Sequence, residues 1–223
     1  MTAIFVYADS DIAFVASDTK REVCGFTTVA CKTMRWSENI LISQTGFGEG
    51  LQRLVGEMLA WQHRHPMMLT GAGVEHAFKQ LAAGRLKAEV AMLKHSYNAK
   101  NIGGSLVVAE APRGGSPGAI LTLDWASEGV ETQPGPVYAD GTDQPAFLRI
   151  ATTRFASMRR AAGTFDLAAW GLTCISDAIA HLGGASVDWP ADLAICRLDR
   201  GMPITLIQRV TGPAGPTHPL FVI

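Results

Sequence analysis

The first twenty residues, MTAIFVYADSDIAFVASDTK (1–20), place two apolar runs back to back. Residues 3–8 (AIFVYA) and 12–17 (IAFVAS) are rich in β-branched and aromatic side chains, and Asp9, Ser10 and Asp11 between them supply turn chemistry. The pattern predicts a β-hairpin that begins at once, although most domains leave their first residues with few contacts. Such a hairpin brings its return end, the Ala16-Ser17-Asp18-Thr19-Lys20 stretch, alongside Thr2.

At 223 residues the chain is long enough for one substantial core and too short for two ordinary domains, so a single domain over 1–223 is expected. Hydrophobic residues (48%) far outnumber charged ones (17%), which leaves little charged surface to cover a monomer and favours burial between subunits. A net charge of −1 and the lack of long like-charge runs argue against nucleic acid and anionic membrane as partners. No basic leader precedes an apolar stretch and no apolar run reaches membrane-spanning length, so a cytoplasmic protein is expected. Cys24, Cys31, Cys174 and Cys196 form no CxxC pair and read as reduced, mostly buried thiols. The His63, His65 pair has no acidic or cysteine partner nearby, and GFGEG (46–50) and GGSPG (114–118) lack the lysine of a phosphate loop. Neither metal nor cofactor is expected.

Further along, strands are predicted near 27–36 and 39–45. From Leu51 the period becomes helical (Leu51, Leu54, Val55, Met58, Leu59) until Pro66. A second helix is predicted over 74–86, with a short one in KAEVAML (87–93). Strands resume at 105–109, 119–125 and 130–133, with PRGGSPG (112–118) as a loop. Two helices follow, about 145–162 and 165–181, then a strand pair at 193–198 and 204–210 around DRGMP, and the tail TGPAGPTHP reads as loosely structured. Two β blocks interleaved with two helix pairs imply an α+β fold: two stacked sheets with a helical layer on each side.

A threonine hydroxyl becomes a nucleophile when a base takes its proton, and the α-amino group of the same residue can do so if the threonine comes first. Removal of Met1, which the small Thr2 side chain permits, would expose that amine. A cation near the hydroxyl would tune the proton equilibrium, and a carboxylate would hold the cation. Asp18, Lys20 and Lys32 are the candidates, and a backbone N–H at Gly46 is a candidate oxyanion donor.

Thr2, Asp18 sixteen residues on within ASDTK, Lys32 thirty residues past Thr2 and so two short of the family's spacing, and Gly46 fourteen residues after Lys32 follow one another in the order of the proteasome β-type subunits, which this stretch resembles. Those include the bacterial peptidase ring partnered by an unfoldase and the Anbu proteins. The resemblance implies a four-layer αββα sandwich of two antiparallel sheets, the N-terminal nucleophile (Ntn) hydrolase fold. It also implies a threonine peptidase with Thr2, Asp18, Lys32 and Gly46 as catalytic residues, homo-oligomeric assembly into a ring or related multimer, a peptide substrate, and an ATP-dependent unfoldase as a further partner.

The second half departs from the family. Its Gly-Ser-Gly corresponds to ADGTDQP (139–145), where Thr142 retains a hydroxyl. Its Asp-x-x-Ser-Gly-Gly corresponds to AIAHLGG (178–184), where Ile179 and Leu182 replace the acid and the serine. Asp177 and His181 are near enough to offer a changed network, with Thr142, Asp177 and Lys20 in supporting roles, while His181 reads first as a helix C-terminal residue. Two other readings stay open: a small-molecule amidase or acyl transferase on the same fold, and a catalytically inactive assembly or scaffold subunit.

Overall fold

The computed structural model describes residues 2–23, 26–46, 48–82, 88, 91–92, 104–112, 116–161, 164–183, 187–215 and 221–223. β1 (Ala3–Ala8) and β2 (Ile12–Asp18) form the expected hairpin, with Ile4 opposite Ser17 and Ala8 opposite Ala13. Its turn is held by Asp9, whose Oδ1 accepts from the Asp11 and Ile12 N–H groups at 2.9 and 2.7 Å. Both strands are buried throughout, and this explains why residues 3–8 and 12–16 are apolar without a break. Ala3, Phe5 and Tyr7 face a helical layer, while Ile4, Val6 and Ala8 face a second sheet.

Next come β3 (Lys20–Val23), β4 (Phe26–Val29), β5 (Thr33–Ser37) and β6 (Ile40–Gly46), then α1 (Gly48–Arg64) and α2 (Gly71–Ala82). β7 (Gly104–Glu110), β8 (Ala119–Asp124), β9 (Gly129–Gln133) and β10 (Val137–Gly141) follow. The remainder is α3 (Gln144–Ala161), α4 (Leu167–Leu182), β11 (Ala191–Asp199) and β12 (Met202–Val210). Strand order is β10-β1-β2-β11-β12 in one sheet and β5-β6-β7-β8-β9 in the other, with β3-β4 as a separate ribbon. Every pairing is antiparallel.

Three apolar clusters fill the spaces between layers. One joins the first sheet to α3 and α4 around Phe5, Phe14, Phe147 and Trp170. Another joins the second sheet to α1 and α2 around Ile42, Leu54, Phe78 and Leu123. The third lies between the sheets and contains Val6, Val15, Leu41, Val107 and Ala194. Helices, sheet, sheet, helices is the αββα sandwich expected from the sequence.

Some readings are corrected. The strand read at 27–36 is two, β4 and β5, with Lys32 between them. β10 had no counterpart in the sequence reading. Helix boundaries also move, because α1 starts at Gly48 and α2 at Gly71. Asp166 lies outside α4 as its N-cap, accepting from the Ala169 N–H at 3.1 Å, and Gly183 ends that helix at φ 65°. Most of KAEVAML lies outside the described residues. Beyond TGPAGPTHP, of which residues 216–219 lie outside the described residues, Phe165 and Ile223 exchange backbone hydrogen bonds and Phe221 is fully buried against Phe14.

Of the cysteines, Cys174 and Cys196 are buried and Cys31 is exposed, with no disulfide among the described residues, while Cys24 lies outside them. No described helix is long and apolar enough to cross a membrane.

Candidate active site around Thr2

Thr2 precedes the first residue of β1, a strand flanked by β2 and β10, and the ends of both neighbours close on it. From β10's side, Thr142 N–H donates to the Thr2 carbonyl at 3.0 Å and Thr2 N–H donates to Thr142 Oγ1 at 3.1 Å. Gly141 sits between them at φ 137°, and a Cβ there would run into the Thr2 carbonyl oxygen. Glycine is therefore required twice over, by conformation and by space.

From β2's side comes Asp18. One carboxylate oxygen accepts from Ala3 N–H at 2.8 Å, and the other from Lys20 N–H at 3.2 Å. Lys32 Nζ donates to both at 2.9 Å and also donates to Thr2 Oγ1 at 3.1 Å. Asp18 is fully buried, and Thr2 and Lys32 are each only 5% exposed. Burial pushes the Asp18 carboxyl above its ordinary range, while the Lys32 ammonium and the Ala3 N–H pull the other way. The pair presents a charge-assisted, desolvated ammonium to a single hydroxyl.

Lys32 is reached from the loop between β4 and β5, and its backbone is fixed to β6. The Lys32 carbonyl accepts from Gln44 N–H at 3.0 Å and from Ser43 Oγ at 3.2 Å. Behind it, the hydroxyls of Ser17, Thr33 and Ser43 run in a chain, 3.2 and 2.9 Å apart, from β2 to β6. β6 ends at Gly46, exposed and at φ 99°, paired with Gly104 of β7.

Thr2, Asp18, Lys32 and Thr142 are thus brought into one cluster, and Lys20 joins it through its backbone N–H. Asp177 does not. Its carboxylate is gripped by Arg154 of α3, with Nε and Nη2 at 2.6 and 3.0 Å, in the outer helical layer. His181 Nε2 lies 2.8 Å from Asp143 Oδ2, and that bond, with the Ala146 N–H, holds the Asp143 carboxyl below the usual range. The polar group unforeseen from sequence is Asp140 with Thr45 and Ser105. Asp140 Oδ2 accepts from Ser105 Oγ at 2.5 Å and from Thr45 Oγ1 at 3.1 Å, and Oδ1 accepts from Gly141 N–H at 2.7 Å. Its one sequence signal was an acid beside Gly141 and Thr142 in a segment already matched to the family. Among the described residues, no three His, Cys, Asp or Glu side chains converge as a metal site would require.

The strand order and the helices-sheet-sheet-helices layering around three apolar clusters define the fold class, a four-layer αββα sandwich of the Ntn-hydrolase fold. A solved structure to which the chain is similar is eukaryotic HslV from Trypanosoma brucei, at TM-score 0.61 and 16% sequence identity, over 88% of this chain and 99% of that one. No protein-family model and no curated protein matches the chain.

Proposed function

We propose that the protein is an N-terminal threonine hydrolase of the proteasome type, cleaving peptide amide bonds through an acyl-enzyme on Thr2. The observation that carries this reading is the Lys32 ammonium 3.1 Å from Thr2 Oγ1 and clamped by both oxygens of buried Asp18. A lysine spent on structure alone has no need to address a hydroxyl at the head of a strand.

In the encoded chain the Thr2 nitrogen is an amide and cannot accept a proton, so activity requires removal of what precedes Thr2. The freed amine then takes the Oγ1 proton as Oγ1 attacks the substrate carbonyl. Lys32 stabilises the developing negative charge on Oγ1 and Asp18 holds Lys32 in place. The Gly46 N–H receives the oxyanion. The amine, having passed its proton to the leaving nitrogen, next activates a water molecule that releases the acyl group. Thr142 Oγ1, already 3.1 Å from the Thr2 nitrogen, orients the amine. The same proposal includes self-association into a ring or related multimer in the cytoplasm, supported by the family resemblance and the apolar composition. An unfoldase partner rests on the family resemblance alone.

Intact mass of the protein from its native cells, together with turnover of a fluorogenic peptide amide by wild type and Thr2→Ala, tests the reading. Thr2 as first residue and an inactive variant are expected. A variant as active as wild type refutes the mechanism.

A second reading, an inactive scaffold subunit, is favoured by one observation. Ile179 and Leu182 stand where the family has an acid and a serine, and the nearby Asp177 is engaged by Arg154. Complete retention of Met1 in native cells is the result it expects.

A further inference from the structure

Asp140 is a buried carboxylate in the last turn of β10, and it touches both halves of the site without touching Thr2 itself. Its Oδ1 accepts from Gly141 N–H. Gly141 and Thr142 are the residues against which Thr2 rests, through the carbonyl contact and the two Thr142 hydrogen bonds. Its Oδ2 accepts from Thr45 Oγ1 of β6 and Ser105 Oγ of β7, two hydroxyls themselves 2.8 Å apart. Thr45 is the residue before Gly46. The carboxylate therefore crosses from one sheet to the other, one residue away from the holder of the nucleophile and one residue away from the proposed oxyanion donor.

We infer that Asp140 is a positioning residue whose hydrogen bonds to Thr45 and Ser105 set the distance between the Thr2 hydroxyl and the Gly46 N–H. This rests on the hydrolase reading above. The physical case has three parts. Donors from three strands converge on one charged acceptor, and such charge-assisted bonds are short and stiff. The space between the sheets holds mainly apolar side chains, which resist separation without fixing lateral register, and the other polar links across it, the Lys32–Asp18 pair and the Ser17–Thr33–Ser43 chain, tie β2 rather than β10 to the second sheet. An oxyanion donor must also meet a developing charge to within a few tenths of an ångström, and a displacement of about 1 Å costs on the order of a hundredfold in rate.

The test uses protein with Thr2 exposed by co-expressed methionine aminopeptidase. A β-lactone probe reports on the nucleophile: Thr2 Oγ1 forms an ester, the ring C–O bond breaks, the released alkoxide takes the proton, and the peptide bearing Thr2 gains the whole probe mass. A fluorogenic peptide amide reports on turnover. Asp140→Asn and Thr45→Val, which keeps the branched shape and removes the donor, are expected to lower kcat roughly ten- to a hundredfold with KM changed less than about twofold. Thr45→Ser restores the hydroxyl and is expected to restore kcat, and the pH midpoint of the ascending limb is expected to stay where it is in wild type. The Thr45 pair decides the matter even if Asp140→Asn does not fold.

Several results would overturn the inference: kcat near wild type in both Asp140→Asn and Thr45→Val, Thr45→Ser as slow as Thr45→Val, a loss carried by KM, or a displaced pH midpoint, which would mean that Asp140 acts through its charge on the amine. The hydrolase reading fails separately, through the absence of a probe adduct on wild type or a Thr2→Ala variant that still turns over the amide.

Discussion

Replacing Asp18 with Asn removes one charge from a buried pair and leaves the other in place. The Lys32 side chain is 7% exposed and donates at 2.9 Å to each Asp18 oxygen, so almost none of the lost attraction can be recovered from water. Breaking a buried pair from one side costs about 3–5 kcal/mol, a large share of the roughly 5–15 kcal/mol that holds a typical domain together. The two sides are not equal. After Lys32→Met, Asp18 keeps the Ala3 and Lys20 N–H donors, and burial already favours its neutral acid, so the cost falls toward the low end of that range. Asp18→Asn strands an ammonium and removes a charged acceptor from the Ala3 N–H, so it falls toward the high end. The double variant has no stranded charge, and its cost should be smaller than the sum of the singles by at least about 2 kcal/mol. Urea unfolding at one fixed protomer concentration measures all three. With a slope near 3 kcal/mol/M, the singles shift the midpoint by about 1–1.7 M. Additive costs, or a Lys32→Met variant as stable as wild type, would refute the buried-pair account.

Gly141→Ala should abolish turnover and lower the melting temperature, because the new methyl would displace the Thr2 carbonyl; an active, stable variant would show that β10 does not seat Thr2. Arg154→Ala should cost at most about 1 kcal/mol, as exposed pairs do, and leave kcat unchanged, since its partner Asp177 lies outside the Thr2 cluster; a large fall in kcat would return Asp177 to the site. The pH profile of kcat/KM should rise from acid, because the Thr2 amine must lose its proton before it can act as a base. With the Lys32 ammonium beside it, the midpoint should lie below the reference range of about 7.7–8.0. A rate that is flat through that region would exclude the amine as base.

The front of the molecule was legible because its constraints are local. The apolar runs at residues 3–8 and 12–17, the Asp9 turn and the spacing to Asp18 each follow from a short window, and Lys32 and Gly46 were reachable by counting along the resemblance. What escaped was long-range. β10 has five residues, lies after Pro136, and is a strand because β1 has a free edge to pair with, a fact that residues 137–141 do not contain. Asp140 became visible only once β6, β7 and β10 were placed side by side, because its partners are 95 and 35 residues away. Asp177 misled for the complementary reason: proximity in sequence to a family motif says nothing of an arginine one helix back.

β1 is made long before its sheet neighbour β10, and β2 waits for β11 and for Phe221 against Phe14. Pairings so far apart along the chain close late. The niche around Thr2 therefore cannot exist on a growing polypeptide until β10 and Thr142 have emerged. A nascent chain carries Thr2 unseated past its neighbours on the ribosome, and the timing is written into strand order alone.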